Sequence, residues 1–260
     1  MNKIIKKEIL SDNVVKLKIK APLIAKARKT GQFVIVKLGK NGERIPLTIV
    51  DANVRSGTIT IIVQDVGKSS KGICALNEGD EIDDLVGPLG KATHIANYGT
   101  IVCACGGVGT APMLPIIKAM KKVGNKIITI LAAKTKDLII LEKEIKKFSN
   151  KIIITTNDGS YGIKGLVTDG TEMVIKEEKI DLCITIGPAI MMKYVSILTK
   201  KYKIPTIASL NTIMIDGTGM CGACRVSVEG ENKFVCVDGP EFDAHKVNFD
   251  EMIIRLNAYK

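Results

Sequence analysis

The chain has no tryptophan, only five phenylalanines and five tyrosines, and just two histidines in 260 residues. So few rings leave no basic-aromatic module of the kind that stacks on nucleic-acid bases. The lysines behind a formal net charge of +11 are spread along the whole chain. They predict a solvated basic surface suited to an acidic redox partner or anionic cofactors, not to nucleic acid. His94 and His245 stand too far from any partner to suggest a catalytic pair. No Ser-His-Asp arrangement or paired acid–base carboxylates are visible, so hydrolytic chemistry has no support. No stretch approaches about eighteen uncharged apolar residues, and no membrane span is expected. The opening MNKIIKKEIL lacks an apolar signal core. Seven cysteines of scattered spacing, without a secretory signal, argue for a reducing cytoplasm over a disulfide framework.

What is present is 46% hydrophobic residues, ample for globular folding, and length enough for two or three domains. Residues 1–97 read as short strands at 14–19, 33–38, 47–50 and 58–63, with turns at Gly39-Lys40-Asn41-Gly42 and Arg55-Ser56-Gly57. A further strand and its exit occupy 76–90. Regular short strands with turn punctuation predict a small antiparallel barrel. The pattern changes in 98–210. Apolar strands at 100–105, 127–132, 151–155 and 181–186 alternate with helices expected over 113–122, 137–147 and from Pro188 to about Lys201. Such alternation predicts a Rossmann-like parallel sheet covered on both faces. Residues 211–260 form a third segment that ends in a short helix over 249–256. The fold class is therefore β plus α/β, with no internal repeat.

The most specific signal lies in that third segment. Asp216, Cys221, Cys224 and Cys236 are spaced D-x4-C-x2-C-x11-C, the plant-type iron–sulfur spacing with an aspartate in the first place. Three thiolates and a carboxylate in a Gly-rich loop supply four ligands for a [2Fe–2S] cluster. Zinc also accepts both ligand types, but its sites favour two short cysteine pairs. Glycine at 217, 219 and 222 argues against an inert packed segment.

Gly106, Gly107, Val108, Gly109, Thr110, Ala111 and Pro112 fall at a strand-to-helix junction, where a helix N-terminus attracts a pyrophosphate. The element is not a full G-x-G-x-x-G fingerprint, and a tight turn is the alternative. Arg44, Pro46, Leu47 and Thr48 place a guanidinium beside a strand ending in a hydroxyl. Arg44 could clamp a diphosphate, and Thr48, the candidate catalytic residue, could hydrogen-bond a flavin ring nitrogen. An ordinary exposed arginine is the alternative. Gly67, Ser69 and Ser70 suit a second phosphate contact. Cys74, Cys103, Cys105 and Cys183 read as buried structural thiols, and Met191 and Met192, after a Gly-Pro turn, as helix packing.

Taken in order, these motifs resemble the ferredoxin–NADP reductase superfamily over essentially the whole chain. Within it, the chain is similar to the electron-transfer subunit of dihydroorotate dehydrogenase and its relatives. These include the small subunit of NADH-dependent ferredoxin:NADP oxidoreductase, also described as sulfide dehydrogenase. The resemblance implies an FAD-binding barrel (1–97), an NAD(P)-binding domain (98–210) and a [2Fe–2S] domain with a tail (211–260). It assigns Arg44, Pro46, Leu47, Thr48, Ile62, Val63, Gln64, Gly67, Ser69 and Ser70 to FAD. Residues 106–112, with Gly187, Pro188 and Met191, are assigned to NAD(H). Ile45 stands where relatives often carry an aromatic or a second arginine, and Ile186 replaces a usual cysteine. Asp216 in place of a first cysteine favours the bifurcating transhydrogenase branch. The implied mechanism takes hydride from NAD(P)H to a flavin and single electrons onward to a larger flavin and iron–sulfur partner subunit. A dihydroorotate dehydrogenase electron-transfer subunit and a non-catalytic redox sensor are the alternatives. Discrimination between NADH and NADPH is expected near residues 132–136, where Lys134 and Lys136 could accept a 2′-phosphate or simply be solvated.

Overall fold

Alternating branched apolar and polar residues dictate the first half of the molecule. In the computed structural model, which describes residues 2–258, the early strands are β1 (Asn2–Ser11), β2 (Val14–Lys20), β3 (Phe33–Lys37) and β4 (Ile45–Thr48). They are followed by β5 (Asp51–Asn53), β6 (Thr58–Gln64), β7 (Glu81–Ile82) and β8 (Asp84–Leu89). Helix α1 (Pro22–Ala27) follows β2, and α2 (Lys68–Ala75) follows β6. A five-stranded sheet in the order β5-β6-β2-β1-β7 and a three-stranded sheet β4-β3-β8 form the barrel, every pairing antiparallel. The period of two sends Leu17, Ile19, Ile59, Ile61 and Val63 into one core with Val34 and Val36 from the other sheet. Each such side chain contributes about 2 kcal/mol by leaving water.

The second half switches to β9 (Thr100–Gly106), α3 (Thr110–Lys122), β10 (Lys126–Ala133), α4 (Glu142–Lys146), β11 (Lys151–Thr156) and β12 (Ile163–Lys164). It continues through α5 (Val167–Glu177), β13 (Leu182–Ile186), α6 (Ala189–Lys201) and β14 (Thr206–Ser209). Near-continuous apolar runs such as Ile101–Cys105 are fully buried, as strands covered on both faces must be. The sheet order is β12-β11-β10-β9-β13-β14, all parallel, closed by antiparallel β17 (Glu241–Asp243). Strand β9 lies between β10 and β13, so the order reverses there. The carboxyl ends of β9 and β13 are a topological switch point, where open α/β sheets bind ligands.

Between β14 and β17 the chain forms a hairpin, β15 (Arg225–Val228) with β16 (Glu231–Phe234), and then the one-turn helix α7 (Val235–Asp238). Helix α8 (Phe249–Asn257) closes the described chain, its N-terminus capped by the Asn248 side chain, which accepts from Glu251 N at 3.1 Å.

Two compact units result. One comprises the chain up to Thr93 with Asn211–Arg225 and Phe234–Pro240; the other holds His94–Leu210, Val226–Lys233 and the chain from Glu241 onward. The segment 211–260 is thus shared between both units.

Local expectations met several corrections. The helix expected over 137–147 is a 3-10 turn, Lys136–Leu138, followed only by α4. Ile140 and Leu141 are drawn into the core, and Leu141 adopts a left-handed backbone with φ 59° that interrupts the helix. The single strand expected in 76–90 is two short ones, and α5 carried no expectation at all. Helix α3 begins at Thr110, three residues earlier than expected, and accommodates Pro115 in its interior.

Candidate functional site

The glycine loop is built where β9 turns into α3. A 3-10 turn, Gly107–Gly109, joins them, and Gly107 has φ +54° with nothing within 4 Å of where a side chain would begin. Only glycine takes that conformation cheaply. A Cβ on Gly109 would overlap the Ile186 carbonyl, and one on Gly106 would collide with the Met191 sulfur. A Cβ on Gly187 would stand 2.7 Å from Met191 Cε and 3.2 Å from Gly106 Cα. The structure therefore brings together Gly106, Gly109, Gly187, Pro188 and Met191. Thr110 and Ala111 are buried in the first turn of α3, while Val108 and Pro112 are half-buried. The open space above Gly107, at a helix N-terminus, suits a pyrophosphate.

Across the ends of the neighbouring strands lies a feature that the motifs missed. Asn157 N donates to Ala133 O at 3.1 Å and Asp158 N to Lys134 O at 3.3 Å. The Asp158 carboxylate accepts from Ser160 N (3.0 Å) and Ser160 Oγ (2.7 Å), which holds it below the usual carboxylate range. Lys136 N donates to Ser160 Oγ, and Lys136 Nζ stands 5.7 Å from the centre of the Tyr161 ring. The turn Asn157-Asp158-Gly159-Ser160 directly after a parallel strand was the available signal.

In the barrel, β4 pairs with β3, setting Leu47 opposite Val34 and Thr48 opposite Phe33. All four β4 residues are half-buried. Arg44, just before β4, donates through Nε to the Ile215 carbonyl at 2.5 Å, and its Nη1 lies 3.7 Å from Asp84 Oδ2. On β6, Val63 packs in the barrel core and its carbonyl accepts from the half-buried Cys74 thiol at 3.7 Å; Ile62 is also buried, and Gln64 is half-buried. The loop expected around Gly67 is the start of α2. Ser70 Oγ accepts from Val66 N and Gly67 N, both at 3.0 Å, so its hydroxyl caps the helix. Ser69 Oγ donates to Glu43 at 2.7 Å.

The iron–sulfur spacing acquires a physical explanation. The hairpin returns the chain on itself, and Val235 N donates to Cys224 O at 3.2 Å. Cys236 on α7 thereby meets Cys224, whose thiol donates to the Cys236 sulfur across 3.2 Å. Both are 1% exposed, and burial raises the Cys236 thiol above its ordinary value. Asp216 Oδ2 accepts from Cys221 N at 2.8 Å and Oδ1 from Thr218 N at 2.9 Å. These bonds hold the carboxylate below its ordinary range. Cys221 itself is exposed.

Among the described residues, no three His, Cys, Asp or Glu side chains gather closely enough for one metal ion. The four are arranged instead as two pairs, Asp216 with Cys221 and Cys224 with Cys236. A two-iron cluster needs two protein ligands per iron, whereas tetrahedral zinc needs all four around one centre. Each carboxylate oxygen keeps a lone pair beyond its N–H contact. The donor set fits a [2Fe–2S] cluster.

The remaining candidates are structural. Cys103, Cys105 and Cys183 are buried in adjacent strands β9 and β13. His245 lines a cleft of about 590 Å³ with Lys200, Lys203 and Asp243 at the start of β14, and its Nε2 lies 3.0 Å from Thr199 Oγ1. His94 Nδ1 lies 2.7 Å from Tyr98 Oη.

Known proteins with this arrangement decide the family. A model described as the iron–sulfur cluster binding domain of dihydroorotate dehydrogenase B matches residues 211–248. Over all 260 residues the chain is 45% identical to a Thermotoga maritima protein named as a homolog of the dihydroorotate dehydrogenase B electron transfer subunit, covering 92% of it. The chain belongs to this electron-transfer-subunit family. A Clostridium perfringens member, the electron transfer subunit of dihydroorotate dehydrogenase B (NAD(+)), is 31% identical over 84% of the chain and 87% of its own length. A solved structure of NADH-dependent reduced ferredoxin-NADP oxidoreductase, studied for flavin-based electron bifurcation, superposes with a TM-score of 0.95. It is 45% identical and is matched over 100% of this chain and 94% of its own. An Amycolatopsis cytochrome P450 reductase shares the fold alone, at 17% identity and TM-score 0.68, over 78% of this chain and 66% of its own. As a member of the dihydroorotate dehydrogenase B electron-transfer family, the chain is an oxidoreductase subunit with an iron–sulfur domain on a ferredoxin-reductase-like fold. No helix among the described residues is long and apolar enough to cross a membrane.

Proposed function

We propose that the chain is the FAD- and [2Fe–2S]-containing electron-transfer subunit of a flavin-based electron-bifurcating ferredoxin:NADP transhydrogenase. It exchanges hydride with NAD(H) and passes single electrons to a larger flavin and iron–sulfur subunit in the cytoplasm. The observation that carries this reading is the aspartate at position 216, paired with Cys221, where the four-cysteine branch has a thiolate. The likeness to the bifurcating NADH-dependent oxidoreductase supports it.

When bound, FAD and the cluster supply the conversion of a two-electron hydride into single electrons. The chain's own residues bind and orient. The Gly106–Pro112 turn receives the pyrophosphate at the start of α3, and Gly187, Pro188 and Met191 wall the same end of the sheet. Arg44, Pro46, Leu47, Thr48, Ile62, Val63, Gln64, Gly67, Ser69 and Ser70 hold the flavin, Ser70 through the helix start it caps. The Thr48 hydroxyl would hydrogen-bond the flavin ring. Asp216, Cys221, Cys224 and Cys236 hold the irons as thiolates and carboxylate, so loading releases thiol protons. The Asp158 carboxylate favours a ribose 2′-hydroxyl and repels a 2′-phosphate, which selects NADH.

The second reading, an electron-transfer subunit of dihydroorotate dehydrogenase, draws on the family model over residues 211–248. Purification with a flavoprotein that oxidises dihydroorotate would establish it instead. The direct test is EPR of anaerobically purified, dithionite-reduced protein beside an Asp216→Cys variant. A [2Fe–2S] signal whose g-values move in the variant supports Asp216 as a ligand. An unmoved signal removes the aspartate, and stoichiometric zinc without iron ends the electron-transfer reading.

A further inference from the structure

Arg44 and Asp216 belong to segments that sequence alone never links. Arg44 donates its Nε proton to the carbonyl of Ile215, a residue 171 positions away and the immediate neighbour of Asp216. On its other side, Nη1 approaches Asp84 at the start of β8, and that carboxylate lies 3.8 Å from Lys37 Nζ on β3. The guanidinium is therefore held by the barrel while it holds the loop. One residue beyond Asp216, Gly217 has φ +76° and presses so near the barrel that a Cβ would stand 2.7 Å from Leu89 Cδ1 and 3.0 Å from Ile35 Cγ1.

We propose that Arg44, besides facing the flavin, is the positioning residue of the iron–sulfur loop, fixing the backbone that aims the Asp216 carboxylate. This rests on the reading that Asp216, Cys221, Cys224 and Cys236 hold a [2Fe–2S] cluster. Pinned at Ile215 by a charge-assisted hydrogen bond and at Gly217 by close packing, Asp216 cannot swing about its own backbone. Its oxygens then take the Thr218 and Cys221 amide protons in a fixed orientation. A guanidinium has five N–H donors in a rigid fork. One committed to Ile215 leaves others for an anion, so a single side chain serves two cofactor sites. The positive charge beside the first ligand also stabilises the extra electron of a reduced cluster, an outer-shell effect on potential. Lysine carries the charge but has no donor at the Nε position.

The experiment compares purified wild type with Arg44→Gln, Arg44→Lys and Thr48→Ala. Iron, labile sulfide and FAD are quantified, and the reduced cluster is followed by EPR and potentiometric titration. Arg44→Gln is expected to keep iron but to shift the g-values and lower the cluster midpoint potential. Arg44→Lys should return the potential towards wild type while the g-values stay shifted. Thr48→Ala should lower FAD occupancy and leave the cluster signal unchanged. If both Arg44 variants lose FAD but retain the wild-type cluster spectrum and potential, the proposal is overturned while the cluster reading stands. Wild type without iron overturns both. Should Arg44→Gln give no folded protein, Asp84→Asn frees the guanidinium from its other side. Shifted g-values in that variant support the proposal and unchanged ones refute it.

Discussion

Gly109 sits against the carbonyl of Ile186 more closely than any methyl group could stand, with Gly187 Cα 2.9 Å from where its Cβ would be. Both neighbours are backbone, and neither can turn aside. This contact joins the strand-to-helix turn after β9 to the end of β13 and leaves the glycine loop its shape.

Gly109→Ala is expected to be the most damaging substitution in the loop. It should cost about 1–3 kcal/mol in stability and weaken NAD(H) binding at least about tenfold. Gly106→Ala meets the flexible end of Met191, which can move, and should cost less than Gly109→Ala. Thermal denaturation and nucleotide titration of the two variants check the order; equal effects would show that backbone contact is not what limits the loop.

Iron content should separate the cysteines into two classes. Cys224→Ser and Cys236→Ser each break the 3.2 Å thiol pair and should abolish stable cluster loading. Cys183→Ala, buried in β13, should leave iron stoichiometry unchanged at a stability cost of about 1–2 kcal/mol. Iron and sulfide assays on anaerobically purified protein make the comparison.

Alkaline pH should destabilise the parallel sheet. Burial pushes the Cys183 thiol up to about 12, and burial followed by repulsion from Cys183 raises Cys105 further. In an unfolded chain a thiol ionises near about 8.5. Above that value the unfolded state sheds protons that the fold retains, so stability is complete below about pH 8.5 and is lost as pH rises towards the folded values. Denaturant melts across this window should show a shallower decline for Cys183→Ala than for wild type.

Nucleotide choice should depend on Asp158. Asp158→Ala, which removes the negative charge held by Ser160, is expected to reduce the preference for NADH over NADPH by about tenfold or more, chiefly through a lower KM for NADPH. An unchanged ratio would return the assignment to Lys134 and Lys136.

Much of this molecule is legible in its sequence. The barrel strands expected at 14–19 and 58–63 each extend one residue further in the structure; they are plain in the sequence because alternation of period two leaves no other face to bury. The glycine turn at 106–109 and the Gly187-Pro188 turn were visible as punctuation after apolar runs. The helix expected over 137–147 does not run through because the core takes Ile140 and Leu141 from a non-helical backbone. Local propensity lost to burial. The hydroxyl of Ser70 looked available for phosphate, but a helix start left its own amides to satisfy.

By itself, the sequence singled out the residues proposed to carry chemistry, four donors spaced for iron and the glycines of two strand-end turns, and it showed the change from period-two strands to alternating strands and helices. Those are local properties, set by side-chain type and by spacing along one chain. Tertiary structure alone decided how they are paired. It sorted Cys224 with Cys236 through a hairpin, stood Asp158 beside the end of β10, and tied Arg44 to Ile215. Each of these depends on contacts between distant segments, whose distances are fixed by close packing of the whole core and are not encoded in any single stretch.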